Sequence, residues 1–221
     1  MLRRMWREYE LRNKKLIVFD FDGVILDTFD FAFDLTKQLT QKYGVFPVTV
    51  REDFEEMFED NPWRYFESKG VTANTLASYQ KDFLSAFQNA ESSLLVFSEI
   101  CDVIRKLSNT YRLAIVSSNY RDIVAWYVEK NGIKDCFNEI VGAEQKGTKK
   151  EKLEKIITDQ DMRSEESYFI TDTSGDIREG QEVGMKTVAV VWGYHGKIRL
   201  GKVKPDFIAN TPQQLLTIFH I

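Results

Sequence analysis

Leu16-Ile17-Val18-Phe19-Asp20-Phe21-Asp22-Gly23 decides how the rest of the chain is read: four apolar residues in a row, then an acid, an aromatic, a second acid and a glycine. A short apolar run without polar alternation marks a strand buried on both faces. The same pattern, an apolar run stopped by a polar residue or glycine, recurs at Leu113 to Val116 before Ser117, at Ile140 and Val141 before Gly142, at Tyr168 to Ile170 before Thr171 and Asp172, and at Thr187 to Val191 before Trp192. Segments of helical period separate these runs. Two have recognisable starts, Thr148 with Glu151 three residues on, and Thr211 before Pro212 with Gln214; each is a potential capping box. Strands alternating with helices predict an α/β fold with a parallel, doubly wound sheet.

One connection breaks the rhythm. Thr28 to Phe97 separates the first strand from the next and far exceeds the roughly dozen residues a crossover needs. Phe29, Ala32, Phe33, Thr36, Leu39 and Tyr43 form a helical stripe that stops at Gly44, and Leu76, Tyr79, Phe83 and Phe87 form another. Thr49 and Glu52 read as a capping box ahead of Phe54, Met57 and Phe58. The expected organisation is a core of residues 1–27 and 98–221 with a helical insertion, 28–97. A long insertion at the functional edge of such a sheet reads as a lid, with a plain packing appendage as the alternative.

The 221 residues are 43% hydrophobic and 29% charged, with 12 Gly and 4 Pro, which is ordinary globular composition. A formal net charge of -4 supplies no basic field for nucleic acid. The two cysteines, Cys101 and Cys136, make neither a disulfide framework nor a zinc array. No run is long enough to span a bilayer, and Met1 to Lys15 lacks the apolar stretch of a secretory signal. The expectation is a cytoplasmic monomer or homodimer with neither nucleic-acid nor membrane partner. Leu2, Met5, Trp6 and Tyr9 could form one apolar side of a basic helix, and packing on the chain's own core is the expected use of it.

Ligands of open α/β sheets bind beyond the carboxyl ends of the strands. The residues at those ends are Asp20, Asp22 and Gly23, then Ser117 and Ser118, then a lysine-rich helix start, then Asp172 and Asp176. Singly, each has a bland explanation: an Asp-Gly pair is commonly a turn, and lone serines and lysines are commonly caps or solvated surface. Together they form an inventory for phosphoryl transfer. Crowded carboxylates raise one another's pKa unless a hard cation sits among them, and Mg²⁺ prefers oxygen ligands plus substrate phosphate. A lysine would share in neutralising the phosphate, and a serine hydroxyl would donate to it. Lys149 at the helix start is the expected lysine, with Lys146 and Lys150 near enough to compete.

Asp20-Phe21-Asp22-Gly23-Val24, Ile115-Val116-Ser117-Ser118-Asn119 and Asp172-Thr173-Ser174-Gly175-Asp176 resemble the motifs of the haloacid dehalogenase superfamily. The likeness covers nearly the whole chain. An insertion directly after the first motif is similar to the small helical cap of phosphoglycolate phosphatase-like and β-phosphoglucomutase-like members. Val190-Val191-Trp192-Gly193-Tyr194, then Pro205-Asp206-Phe207-Ile208, Thr211-Pro212 and Leu215-Leu216, resemble the phosphoglycolate phosphatase branch.

The resemblance implies that Asp20 attacks phosphorus and that Asp22 protonates the leaving alcohol, then activates water to hydrolyse the aspartyl-phosphate. It implies Mg²⁺ held by Asp20, the Asp22 carbonyl and Asp172, with Asp176 as a ligand or a partner through water, and Ser117 gripping the phosphoryl group. An acid at Asp22 favours phosphate chemistry over dehalogenation. Ser118, Gly23, Trp192 and Tyr194 are the expected substrate contacts; Trp192, Tyr194 and His195 could line the mouth of the site or cover core. Trp63, Tyr65 and Phe66 share that ambiguity and favour packing. Thr171 departs from the family's usual glycine, which predicts altered fine geometry. The expected activity is hydrolysis of a small phosphomonoester, either phosphoglycolate-like or a sugar phosphate, with a phosphomutase, a phospho-switch and a non-catalytic binding scaffold as alternatives.

Overall fold

The computed structural model describes residues 14–90 and 93–221. The amino-terminal stripe of Leu2, Met5, Trp6 and Tyr9 lies outside the described residues. A six-stranded sheet, parallel at every pairing, forms the core. Its strands are β1 (Leu16–Phe19), β4 (Arg112–Val116), β5 (Glu139–Val141), β6 (Tyr168–Thr171), β7 (Lys186–Val190) and β8 (Phe207–Ala209), in the order β5-β4-β1-β6-β7-β8. The first strand therefore lies centrally, with β4 and β6 on either side. Phe19 pairs with Ile115 and with Ile170, which brings the carboxyl ends of all three strands to one level.

All four residues of β1 and all five of β4 are buried, because both sheet faces are covered. Leu16 and Val18 pack with Leu153, Ile156 and Ile157 of the helix Lys149–Asp159, whereas Ile17 and Phe19 point into the larger cluster on the other face. This two-sided burial is why the strands read as continuous apolar runs.

Between β1 and β4 the chain forms a two-residue strand β2 (Leu26–Asp27), helices α1 (Phe29–Lys42), α2 (Arg51–Glu56), α3 (Pro62–Ser68) and α4 (Ala73–Asn89), and a returning strand β3 (Leu95–Val96). The two short strands pair antiparallel, Leu26 with Val96, so the helical segment leaves and re-enters the core through one narrow ribbon. Helices α1 and α4 pack through Phe31 against Phe87, ring centroids 4.9 Å apart, and through Tyr79 Oη donating to Thr36 Oγ1 at 3.2 Å. The remaining helices are α5 (Ile100–Ser108), α6 (Arg121–Lys130), α7 (Lys149–Asp159), α8 (Ser174–Val183), α9 (Lys197–Lys202) and α10 (Pro212–Ile218).

Local signals fared unequally. Thr148 and Glu151 form the capping box their spacing predicts, with Glu151 N donating to Thr148 Oγ1 at 3.2 Å and Thr148 N to Glu151 Oε2 at 2.7 Å. Gly44, at φ +61°, follows the end of α1. The box expected from Thr49 and Glu52 is displaced by one residue: α2 begins at Arg51, so Asp53 is the third helical position, and its carboxylate accepts from Thr49 N at 2.9 Å and Val50 N at 3.2 Å. At α10 the Thr211 hydroxyl makes no capping bond, and Gln214 Oε1 reaches past it to Asn210 N at 2.7 Å. Among the described residues no helix is long and apolar enough to cross a membrane.

Candidate active site

Asp20 leaves the end of β1, its N–H donating to Ile170 O at 2.9 Å and its side chain all but buried. One carboxylate oxygen accepts from Phe21 N at 2.7 Å and the other from Lys149 Nζ at 2.7 Å. Lys149 Nζ also reaches Asp176 Oδ2 at 2.7 Å, so a single ammonium bridges two acids from different strand ends. It can do so because α7 starts at Lys149 and directs its first turn at the carboxyl edge of β1. Lys150, one residue on, pairs instead with Glu182 at the surface, 3.1 Å away, and Lys146 is exposed in the preceding loop.

Asp22 is turned toward the second strand end. Asn119 Nδ2 donates to its two oxygens at 3.3 and 3.2 Å, and Ser117 Oγ lies 3.5 Å from Oδ2. Ser117 itself is fully buried and accepts from Asn119 N at 2.9 Å. Asp172 accepts from Tyr194 N at 2.7 Å through one oxygen, while its other oxygen, Oδ1, is buried without a hydrogen-bond partner. Backbone closes over this carboxylate: a Cβ on Gly23, whose φ is +74°, would stand 1.9 Å from Asp172 Oδ2, and one on Gly193 would stand 2.3 Å away.

Burial sets the ionisation of the group. It pushes Asp20 well above the usual carboxylate range, against the pull of Lys149, and raises Asp22 to about 6 and Asp172 to about 7. Asp176 feels the same burial, but the Lys149 charge and the hydrogen bonds with Asp20, Lys149 and Thr171 together hold the acid below its ordinary value. Burial alone would lower Lys149, yet Asp176 and Asp20 raise it, so the ammonium stays charged. Four carboxylates and one ammonium thus line the same cavity, and the excess negative charge stabilises any bound cation.

Among the described residues no three His, Cys, Asp or Glu side chains close a metal cage by themselves. A Mg²⁺ ion does not require one, because it is commonly held by one or two carboxylates, waters and substrate phosphate. The unpartnered Asp172 Oδ1, the neighbouring Asp20 and the excess of hard oxygen donors fit such an ion.

The other sequence-derived candidates fall unevenly. Ser118 and Tyr194 line the cavity, together with Trp63 and Phe66. Trp192 does not: its indole Nε1 donates to Val24 O at 3.1 Å, which turns it into the support of the first loop. Tyr65 meets Phe46 edge-on with ring centroids 5.3 Å apart, and it is not among the residues that line the cavity. His195 is fully buried, with Ser174 N donating to its Nδ1 at 3.0 Å and its Nε2 donating to Glu55 O at 2.8 Å.

Sequence reasoning gave no role to Asn119, although it stands in the quoted second motif, nor to Thr28, whose hydroxyl meets Tyr194 Oη at 3.0 Å. Lys152 departs from the solvated surface that lysines on a helix face commonly occupy: it is buried, its Nζ donating to Ser117 O at 2.9 Å, and its spacing of three from Lys149 on one helix face is the available signal. Thr171 Oγ1 lies 3.3 Å from Asp20 Oδ2 and 3.2 Å from Asp176 Oδ2.

A central acid-bearing strand, a helical segment inserted after it and acids at two strand ends define a hydrolase of the haloacid dehalogenase type, and the chain belongs to that family: the model for haloacid dehalogenase-like hydrolases matches residues 17–190. The chain is similar to a phosphoglycolate phosphatase of Synechococcus elongatus, 22% identical over 201 residues, covering 90% of this chain and 94% of the relative. It is also similar to the pyrophosphatase PpaX of Listeria monocytogenes, 23% identical over 207 residues, covering 91% and 94%. A haloacid dehalogenase-like hydrolase structure from Streptococcus pneumoniae superposes with a TM-score of 0.77 at 20% identity, covering 93% of this chain and 98% of that one.

Proposed function

We propose that the protein is a Mg²⁺-dependent phosphatase that hydrolyses a small phosphomonoester through an aspartyl-phosphate on Asp20. The observation that carries this reading is the convergence of Asp20, Asp22, Lys149, Asp172 and Asp176 on one cavity. Asp20, the backbone carbonyl of Asp22 and Asp172 would hold Mg²⁺, with Asp176 bound directly or through water; the ion supplies charge neutralisation for the incoming phosphate.

Lys149 supports attack in two ways. It opposes the burial that raises Asp20, through direct contact at 2.7 Å, and it stays charged to meet a phosphoryl oxygen. An Asp20 oxygen forms the bond to phosphorus as the bond to the leaving alcohol breaks. Asp22, raised to about 6, is poised to give its proton to that alcohol oxygen and afterwards to take one from the water that attacks the aspartyl-phosphate. Inorganic phosphate leaves and Asp20 is restored. Ser117, Ser118 and the Asn119 side chain would orient the phosphoryl group and Asp22. Residues 28–97, which include helices α1 to α4, would act as a cap over the site that excludes bulk water.

The test is phosphate release from a panel of small phosphomonoesters with Mg²⁺ or EDTA. Turnover should vanish in EDTA and in Asp20→Asn. Undiminished turnover by Asp20→Asn would overturn the proposal.

A further inference from the structure

We infer that the substrate is a phosphomonoester whose leaving group is apolar, an aryl-alkyl or medium-chain alkyl alcohol, carrying no second anionic group; this rests on the phosphatase reading of the same site. The cavity above Asp20 has a volume of about 100 Å³, room for several waters and so for a compact leaving group beside the phosphate. It has two unlike halves. The half formed by the strand ends carries the acids, Lys149, Ser118 and Asn119. The half formed by the helical insertion, where a leaving group must lie once phosphorus faces Asp20, is walled by Phe54, Phe58, Trp63, Phe66, Phe83 and Phe87.

Among the described lining residues Lys149 is the one cation, and its Nζ already bridges Asp20 and Asp176 at 2.7 Å. The two hydroxyl-bearing residues on the helical side, Thr36 and Tyr79, hydrogen-bond to each other at 3.2 Å. The carboxylate of a phosphoglycolate-like ester would be desolvated against aromatic rings without a partner, as would the second phosphate of a pyrophosphate. A sugar's hydroxyls would lose water and find few donors or acceptors. An aromatic or aliphatic group instead exchanges water for ring faces and edges, and the surrounding rings already meet edge-on, as Phe54 and Phe58 do at 5.1 Å and an interplanar angle of 72°.

The experiment measures kcat/KM with Mg²⁺ for benzyl phosphate and hexyl phosphate against 2-phosphoglycolate, glucose 6-phosphate and pyrophosphate. Acetyl phosphate, too small to use the aromatic half, serves as the control for the chemistry. The three esters with primary-alcohol leaving groups, benzyl, hexyl and glycolate, have similar intrinsic reactivity, so their ratio reads the cavity. Benzyl or hexyl phosphate should exceed phosphoglycolate by at least about 100-fold, mostly through KM. Phe83→Arg should shift the benzyl-to-glycolate ratio toward glycolate by tenfold or more. Turnover that depends on Asp20 but favours phosphoglycolate, pyrophosphate or the sugar phosphate overturns the substrate class and leaves the phosphatase reading standing. Absence of turnover on every compound, acetyl phosphate included, overturns the phosphatase reading. The cavity preference is then read separately from binding of benzylphosphonate against phosphonoacetate, and equal or tighter binding of phosphonoacetate overturns it.

Discussion

Asp22 owes its usefulness to a balance. Burial drives its carboxyl up, and the Asn119 amide, the strongest of the opposing contacts, limits the rise to about 6. A group with that value holds its proton for donation in mildly acidic solution and is ready to accept one near neutrality. Asp22→Asn should therefore lower phosphomonoester turnover by about 10²- to 10⁴-fold. Acetyl phosphate separates the two roles, since its acetate leaves without needing a proton. The variant should still phosphorylate Asp20 from acetyl phosphate and then hydrolyse it slowly, visible as a phosphate-mass adduct on the intact protein; the absence of any adduct would assign Asp22 to binding. Thr171 is the second residue-scale case. It ends β6 in ordinary strand register with Ala189, where no glycine freedom is needed, and its buried hydroxyl falls between Asp20 and Asp176. Thr171→Val keeps the shape and removes a hydrogen bond to a charged group, worth about 1.5–3 kcal/mol. Turnover should fall at least about tenfold, and the unfolding temperature by about 3–12 °C; an unchanged rate would make the hydroxyl incidental to catalysis. The acids were legible because they stand within a few residues of the ends of apolar runs, whereas the bond from Asn119 to Asp22 joins residues 97 apart and no local pattern announces it.

At the scale of elements, the carboxyl end of α2 and the turn after it hold the helical segment onto the core. Gly175 N donates to Phe58 O at 3.0 Å, His195 Nε2 to Glu55 O at 2.8 Å, and Arg199 pairs with Glu59 at 2.6 Å. These contacts differ in worth. The Arg199 pair is partly solvated, so its loss costs roughly 0–1 kcal/mol. A Cβ on Gly175 would stand 2.5 Å from Asp60 O, a backbone atom that cannot swing away, so the two surfaces must separate. Arg199→Ala should change kcat/KM by no more than a few-fold, while Gly175→Ala should lower it by about 10- to 100-fold through misplacement of the aromatic wall. Steady-state kinetics on the two variants checks the ordering, and a larger effect of Arg199→Ala would contradict it. Long elements such as α1 and α4 were readable from their stripes. The two-residue strands β2 and β3 were not, because their pairing draws stability from tertiary closure and not from propensity. Helix α3 was missed despite Asn61 accepting from Trp63 N at 3.0 Å ahead of Pro62, a start signal present in the sequence.

The whole molecule carries an electrostatic liability that its site resolves only with a cation. Relative to the ordinary value of 3.8, Asp22 at about 6 and Asp172 at about 7 are raised by burial. For a carboxyl raised in the folded state, the contribution to stability is present at low pH and is lost as pH rises through the folded value. His195 opposes this at the acid end. Burial lowers it from 6.5 to about 4, so its contribution is complete above pH 6.5 and declines as pH falls toward 4. The two slopes partly cancel between pH 4 and 6.5, and only the acids act above that. In EDTA the unfolding temperature should therefore fall from about pH 6.5 to 8. Mg²⁺ binding must displace protons from the same carboxyls, so its stabilisation should grow over the same interval. At 100 times its dissociation constant an ion adds about 2.7 kcal/mol, or about 5–10 °C for a chain of this length. Comparing melts with and without Mg²⁺ at each pH cancels the contribution of His195. A Mg²⁺ shift that is several-fold larger at pH 8 than at pH 5.5, and reduced by Asp172→Asn, is the expected result; a shift independent of pH would place the ion away from these buried acids.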